Sequence, residues 1–127
     1  TEVLENETAA TTIGFFCRAR AFFAAHGITR LVRVVTDNGS NYRAKTFVRT
    51  VAAHASRHQR TRPYTPRHNG KVERSHREDQ KRFYSCHSFY SLDDFAKQLA
   101  VHNRRANNLP MRPLRWLSPA EFTVQYV

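Results

Sequence analysis

A chain of 127 residues with 40% hydrophobic side chains can bury one core and hardly two, so a single domain, or part of one, is expected over residues 1–127. Twenty-one Lys and Arg against ten Asp and Glu give a net charge of +11, spread from Arg18 to Arg115 and not gathered in a tail. That balance points to a polyanionic partner, nucleic acid before others, although an unrelated basic enzyme or a ribosome-associated protein would share it. The most apolar stretch, Ile13 to Ala25, is broken by Arg18 and Arg20 and cannot cross a bilayer, and no secretory leader is visible. Cys17 and Cys86 lie far apart and fit no metal or redox spacing, so both read as reduced thiols of a cytosolic protein. His54 and His58 are the one histidine pair at helical i, i+4 spacing, with no third ligand in view, so a zinc site is not expected.

In chain order, Thr1 to Leu4 reads as an element met partway through, which suggests a truncated start. Asn6 or Thr8 can cap a helix whose apolar positions Ile13, Phe16, Cys17 and Phe23 recur every three or four residues, with His26-Gly27 closing it. Leu31 to Thr36 is β-branched and apolar apart from Arg33, the composition of a central strand covered on both faces. It runs into the turn Asp37-Asn38-Gly39-Ser40. A second helix is predicted from Ala44 to about Ala55, with Phe47, Val48, Val51 and Ala52 as its stripe. The segment Arg57 to Arg62, with three arginines and a histidine, has no pattern that assigns it, and Arg62-Pro63-Tyr64-Thr65-Pro66 is a loop. A third helix fits Asn69 to about Ser85 and a fourth Leu92 to about Arg105. A last one starts at Ser118, where Ser118, Pro119 and Glu121 make a capping box and Phe122 is expected on the core.

Two carboxylates stand out. Asp37 closes a predicted buried strand and precedes a glycine, a position where α/β sheets place functional groups. Asp-Asn-Gly is equally an ordinary turn, in which the carboxylate bonds the following amides. Glu73 sits near the start of the third helix, where the macrodipole favours an acid and Arg77 is an i, i+4 partner, as Arg82 is for Glu78. Neither residue points to catalysis by itself.

Together they do. Asp37-Asn38-Gly39-Ser40 and Asn69-Gly70-Lys71-Val72-Glu73-Arg74, with thirty-five residues between Asp37 and Glu73, resemble the last two blocks of the DDE integrase core. Retroviral-type integrases and bacterial insertion-sequence transposases share that core. Tyr64-Thr65-Pro66, His102-Asn103-Arg104-Arg105 and Leu117-Ser118-Pro119-Ala120-Glu121-Phe122 extend the resemblance over nearly the whole chain. It implies an α/β, RNase H-like fold, a central mixed sheet with flanking helices, and a strand at Arg57 to Thr61. It also implies that three carboxylates hold two Mg²⁺ or Mn²⁺ ions, hard cations suited to carboxylate and phosphate oxygens, for DNA cleavage and strand transfer. Asp37 and Glu73 match the second and third carboxylates.

The first has no counterpart. Glu2, Glu5 and Glu7 are the only acids before Asp37 and none takes that place, so the first two strands are expected to be lacking and the 127 residues to be an inactive part of the core. Gln80 stands where many relatives have Lys or Arg. For DNA contact the sequence offers Lys71, Arg74, Arg77 and Lys81 on a helix with little apolar surface, together with Asn69 and Tyr64. Tyr64 is suited to stacking on a splayed base or to packing on its own protein. The competing reading is a non-catalytic basic fragment that only binds nucleic acid. An exposed sheet edge would favour self-association, so a homo-oligomer is expected beside the DNA partner, in a bacterial cytoplasm and without a membrane role.

Overall fold

The computed structural model describes residues 2–62 and 70–126. They form two compact units, residues 4–76 and residues 77–127 with the first three. Among them no helix is long and apolar enough to cross a membrane. Cys17 and Cys86 are free and exposed.

In the first unit helix α1 spans Ala9–Ala25. Thr8 caps it, its side chain accepting from the Thr11 N–H, while Asn6 Oδ1 accepts from the Thr8 N–H at 3.2 Å. Its end is a Schellman turn: the Ile28 N–H reaches the Phe23 carbonyl at 2.9 Å and the Gly27 N–H the Ala24 carbonyl at 3.1 Å. Gly27 has φ 87°, a conformation free of Cβ strain only for glycine. Of the expected stripe, Phe16 is buried and Ile13 packs on it, whereas Cys17 and Phe23 stay exposed.

Strand β1 (Leu31–Thr36) leads through the short helix α2 (Ser40–Arg43) to α3 (Lys45–His54) and strand β2 (Ala55–Arg60). The strands pair in parallel, from Leu31 opposite Ala55 to Thr36 opposite Arg60, and the Thr61 N–H bonds the Thr36 carbonyl at 2.9 Å beyond the ladder. The expected strand at residues 57 to 61 is therefore present, starting two residues earlier. The sheet described is two parallel strands, not the mixed sheet expected.

Phe16, Phe47 and Val51 make the buried core, with Ile13, Leu31, Val34, Tyr42, Ala44 and Ala55 against it. Phe47 meets the rings of Phe16, Tyr42 and His58 edge-on at 6.2, 5.4 and 5.7 Å. Complete burial of each such side chain contributes roughly 1.5 to 3 kcal/mol. Val32 is 62% exposed and Val35 44%, so β1 is not covered on both faces among the described residues. Its composition reflected β propensity, which does not count faces.

In the second unit the helix α4 (Gly70–Asp79), which begins in the first unit, widens into a π-helical turn at Gln80–Tyr84, where a single regular helix was expected. Phe83, on that turn, is 1% exposed and lies within 6.3 Å of the rings of His87, Phe89, Phe95 and His102. Helix α5 (Leu92–Asn107) is capped by Ser91, which accepts from the Asp94 N–H at 3.1 Å. Asp93 and Asp94 in its first turn and Arg104 and Arg105 in its last both complement the helix dipole. After a 3₁₀ turn (Arg112–Leu114), helix α6 (Pro119–Tyr126) opens on the expected capping box. The Ser118 N–H donates to Glu121 Oε1 at 3.1 Å and the Glu121 N–H to Ser118 Oγ at 3.2 Å.

Candidate nucleic-acid interface

Asp37 leaves β1 into a turn that its own side chain braces, Oδ1 accepting from the Gly39 N–H at 2.8 Å. A Cβ at Gly39 would come within 3.1 Å of that oxygen and 2.8 Å of Asn41 Oδ1. Asn41 cannot readily give way, because its amide donates to Thr12 on α1 at 3.0 Å. Glycine is thus required here for close approach. Two further bonds hold the turn on the sheet. The Asn38 amide donates to the Thr61 carbonyl beyond β2 at 2.6 Å, and the Thr36 hydroxyl donates to the Asp37 carbonyl at 3.1 Å. With its one proton so used, that hydroxyl accepts from His58 Nε2 at 2.8 Å, which assigns the Nε2–H tautomer. Burial, then the Arg60 charge, lowers the His58 pKa from its ordinary value. Asn38, Asn41 and His58 escaped sequence reading because their partners lie 22 or more residues away.

Glu73 lies in the first turn of α4, and every residue from Gly70 to Glu78 is exposed. Val72, the one sizeable apolar side chain among these residues, is 52% exposed. Among the described residues no ion pair joins Glu73 to Arg77, whereas Glu78 and Arg82 close one at 3.0 Å. Lys71, Arg74 and Arg77 project from α4 and Lys81 from the π-helical turn, all exposed. Arg74 and Arg77, three apart, share one side of the helix. Tyr64 and Asn69 lie outside the described residues. His102 bonds Asp79 Oδ1 through Nε2 at 3.3 Å and stacks on Phe83, so in this unit it ties α5 to the end of α4.

Asp37 and Glu73 supply the hard oxygen donors that Mg²⁺ or Mn²⁺ prefers. Among the described residues, however, no three His, Cys, Asp or Glu side chains gather into a group able to hold a metal ion. Among the described residues the two-ion site that the resemblance implies is therefore not assembled.

The integrase core domain family matches residues 54–109, a stretch that contains β2, α4 and α5 and so includes Glu73 but not Asp37. A retrovirus-related Pol polyprotein from transposon TNT 1-94 of Nicotiana tabacum is 42% identical over 48 residues, 38% of this chain. The chain spans 4% of the length of that curated relative. Its plant source lends no support to the bacterial setting expected from the sequence. Residues 54–109 of the chain are thus similar to the integrase core domain family.

Proposed function

We propose that the chain is the DNA-engaging part of an integrase-type strand transferase with an RNase H-like fold, to which residues 1–127 all belong. One observation carries this reading: α4, inside the stretch that matches the integrase core, buries no side chain and presents Lys71, Arg74 and Arg77 to solvent beside Glu73. A helix with no apolar face is unexplained by packing, and cations along it suit a phosphate backbone. Lys71, Arg74, Arg77 and Lys81 bind phosphates and fix register without reading bases, with Asn69 and Tyr64 in the same DNA-facing set. Asp37 and Glu73 would be the second and third carboxylates of the parent site, and divalent metal ions held there would stabilise the oxygens that attack and leave phosphorus. The parent protein cleaves and joins DNA, works as a homo-oligomer on its DNA ends, and keeps Cys17 and Cys86 as thiols in a reducing compartment.

The test is binding of duplex DNA by the 127-residue chain at graded salt. Affinity that falls steeply as salt rises supports the proposal, and binding that ignores salt refutes it. A second reading is a basic fragment that only holds nucleic acid, supported by the net charge of +11. Both readings have the chain alone failing to join DNA ends in Mg²⁺ or Mn²⁺. They part on Asp37 and Glu73, which converge only under the first.

A further inference from the structure

Residues Met111 to Leu117 form a small loop in the second unit, closed by an isolated antiparallel bridge between its two ends. Inside it the Trp116 N–H bonds the Met111 carbonyl at 3.0 Å, the Arg115 N–H the Arg112 carbonyl at 3.1 Å, and the Leu117 N–H the Leu114 carbonyl at 3.1 Å. Arg115 and Trp116 are consecutive residues at φ 55° and 65°, and among the described residues no other non-glycine residue has positive φ. Both conformations cost free energy for residues with a Cβ. Burial of the indole would offset that cost, yet Trp116 is 68% exposed and has no ring or side-chain hydrogen-bond partner among the described residues. The strained backbone leaves a large flat aromatic exposed to water.

The surroundings indicate the ligand. From Phe95 to Ala120 the sequence has no Asp or Glu but carries Lys97, Arg104, Arg105, Arg112 and Arg115. Arg112 and Arg115, in the loop itself, are exposed and form no ion pair among the described residues. An exposed indole in a loop that also carries two exposed arginines suits a base with its adjoining phosphates. In a duplex the faces of the bases are covered by their neighbours, so the partner must be unpaired. We propose that the Met111–Leu117 loop binds single-stranded nucleic acid, one base stacking on Trp116 and the adjoining phosphates meeting Arg112 and Arg115. The choice of nucleic acid over another anionic surface rests on the DNA-engaging role proposed above.

Trp116 is the only tryptophan in the chain, so its emission reports on this loop alone. The 127-residue protein is titrated with an oligothymidylate and with a blunt duplex of equal phosphate number, while anisotropy of a labelled copy of each follows binding. The single strand is expected to quench Trp116 emission strongly and the duplex weakly. Trp116→Ala should weaken single-strand binding at least about fivefold, the lower end for loss of one stacked base. Trp116→Phe should lose less. Since the ring is exposed, both variants should keep the helical circular dichroism of the parent. Single-strand binding without a change in emission, or equally tight binding by the alanine variant, overturns the proposal and leaves the duplex-binding role intact. A shift in emission on anionic vesicles alone overturns it in favour of a lipid surface. Failure to bind either DNA removes both.

Discussion

Replacing Arg74, Arg77 and Lys81 together by Ala isolates the contribution of the α4 surface to DNA binding. All three side chains are exposed, so their loss opens no cavity, and the Glu78–Arg82 pair remains. Each phosphate neutralised on duplex DNA contributes about 0.9 to the slope of log affinity against log salt, so three lost contacts should lower the slope by about 2.7. Over a fourfold rise in salt that difference amounts to roughly 40-fold in affinity, well outside the error of a fluorescence titration. A comparison variant with Lys45, Arg49 and Lys97 changed to Ala removes the same charge from α3 and α5, where the side chains are also exposed. Its slope should fall by less than about 1. Equal slopes for the two variants would show that net charge alone attracts DNA, and the proposed α4 interface would be wrong.

Other expectations concern the carboxylates and the fold. If Asp37 and Glu73 share a two-ion site, their oxygens lie within about 8 Å of one another, so nitroxides on cysteines placed there, with Cys17 and Cys86 replaced by Ser, should show strong dipolar broadening. Sharp, unbroadened spectra would rule out a common site. The depressed His58 pKa means that the unfolded chain takes up the proton first as pH falls below the ordinary imidazole value of 6.5. Stability is therefore full above that pH and declines from there down to the lower folded pKa, so urea midpoints should fall between pH 8 and pH 5. His58→Asn should flatten part of that decline, and an unchanged profile would contradict the assignment. Ser118→Ala removes a buried cap and should cost about 1 to 2 kcal/mol by urea unfolding, with no effect on DNA affinity.

The features legible in the sequence were those set by neighbours along the chain. Thr8, His26-Gly27 and the Ser118–Glu121 box all terminate helices through bonds spanning a few residues, and spacing reveals such bonds. Strand β2 was not legible from pattern: its arginines and histidine follow no alternation, and only the resemblance to the integrase core placed it. The widening of α4 at Gln80, the exposure of Val32, and the link from Asn38 to Thr61 depend on packing between distant segments. At Arg115 and Trp116 the backbone contradicts residue preference outright, so no propensity could reveal their positive φ. Of the site residues, Asp37 was read both as a turn former and as a ligand. The bond to the Gly39 N–H establishes the first role.

Lysine acetylation offers the most direct view of which surface meets DNA, since the chain has four lysines: Lys45, Lys71, Lys81 and Lys97. All four are exposed, so each should react with acetic anhydride in the free protein. When duplex DNA is added at low salt and the modified sites are read by mass spectrometry, Lys71 and Lys81 should be protected while Lys45 and Lys97 react as before. Protection of Lys45 or Lys97 with Lys71 and Lys81 still reactive would contradict the proposal that α4 lies along the DNA.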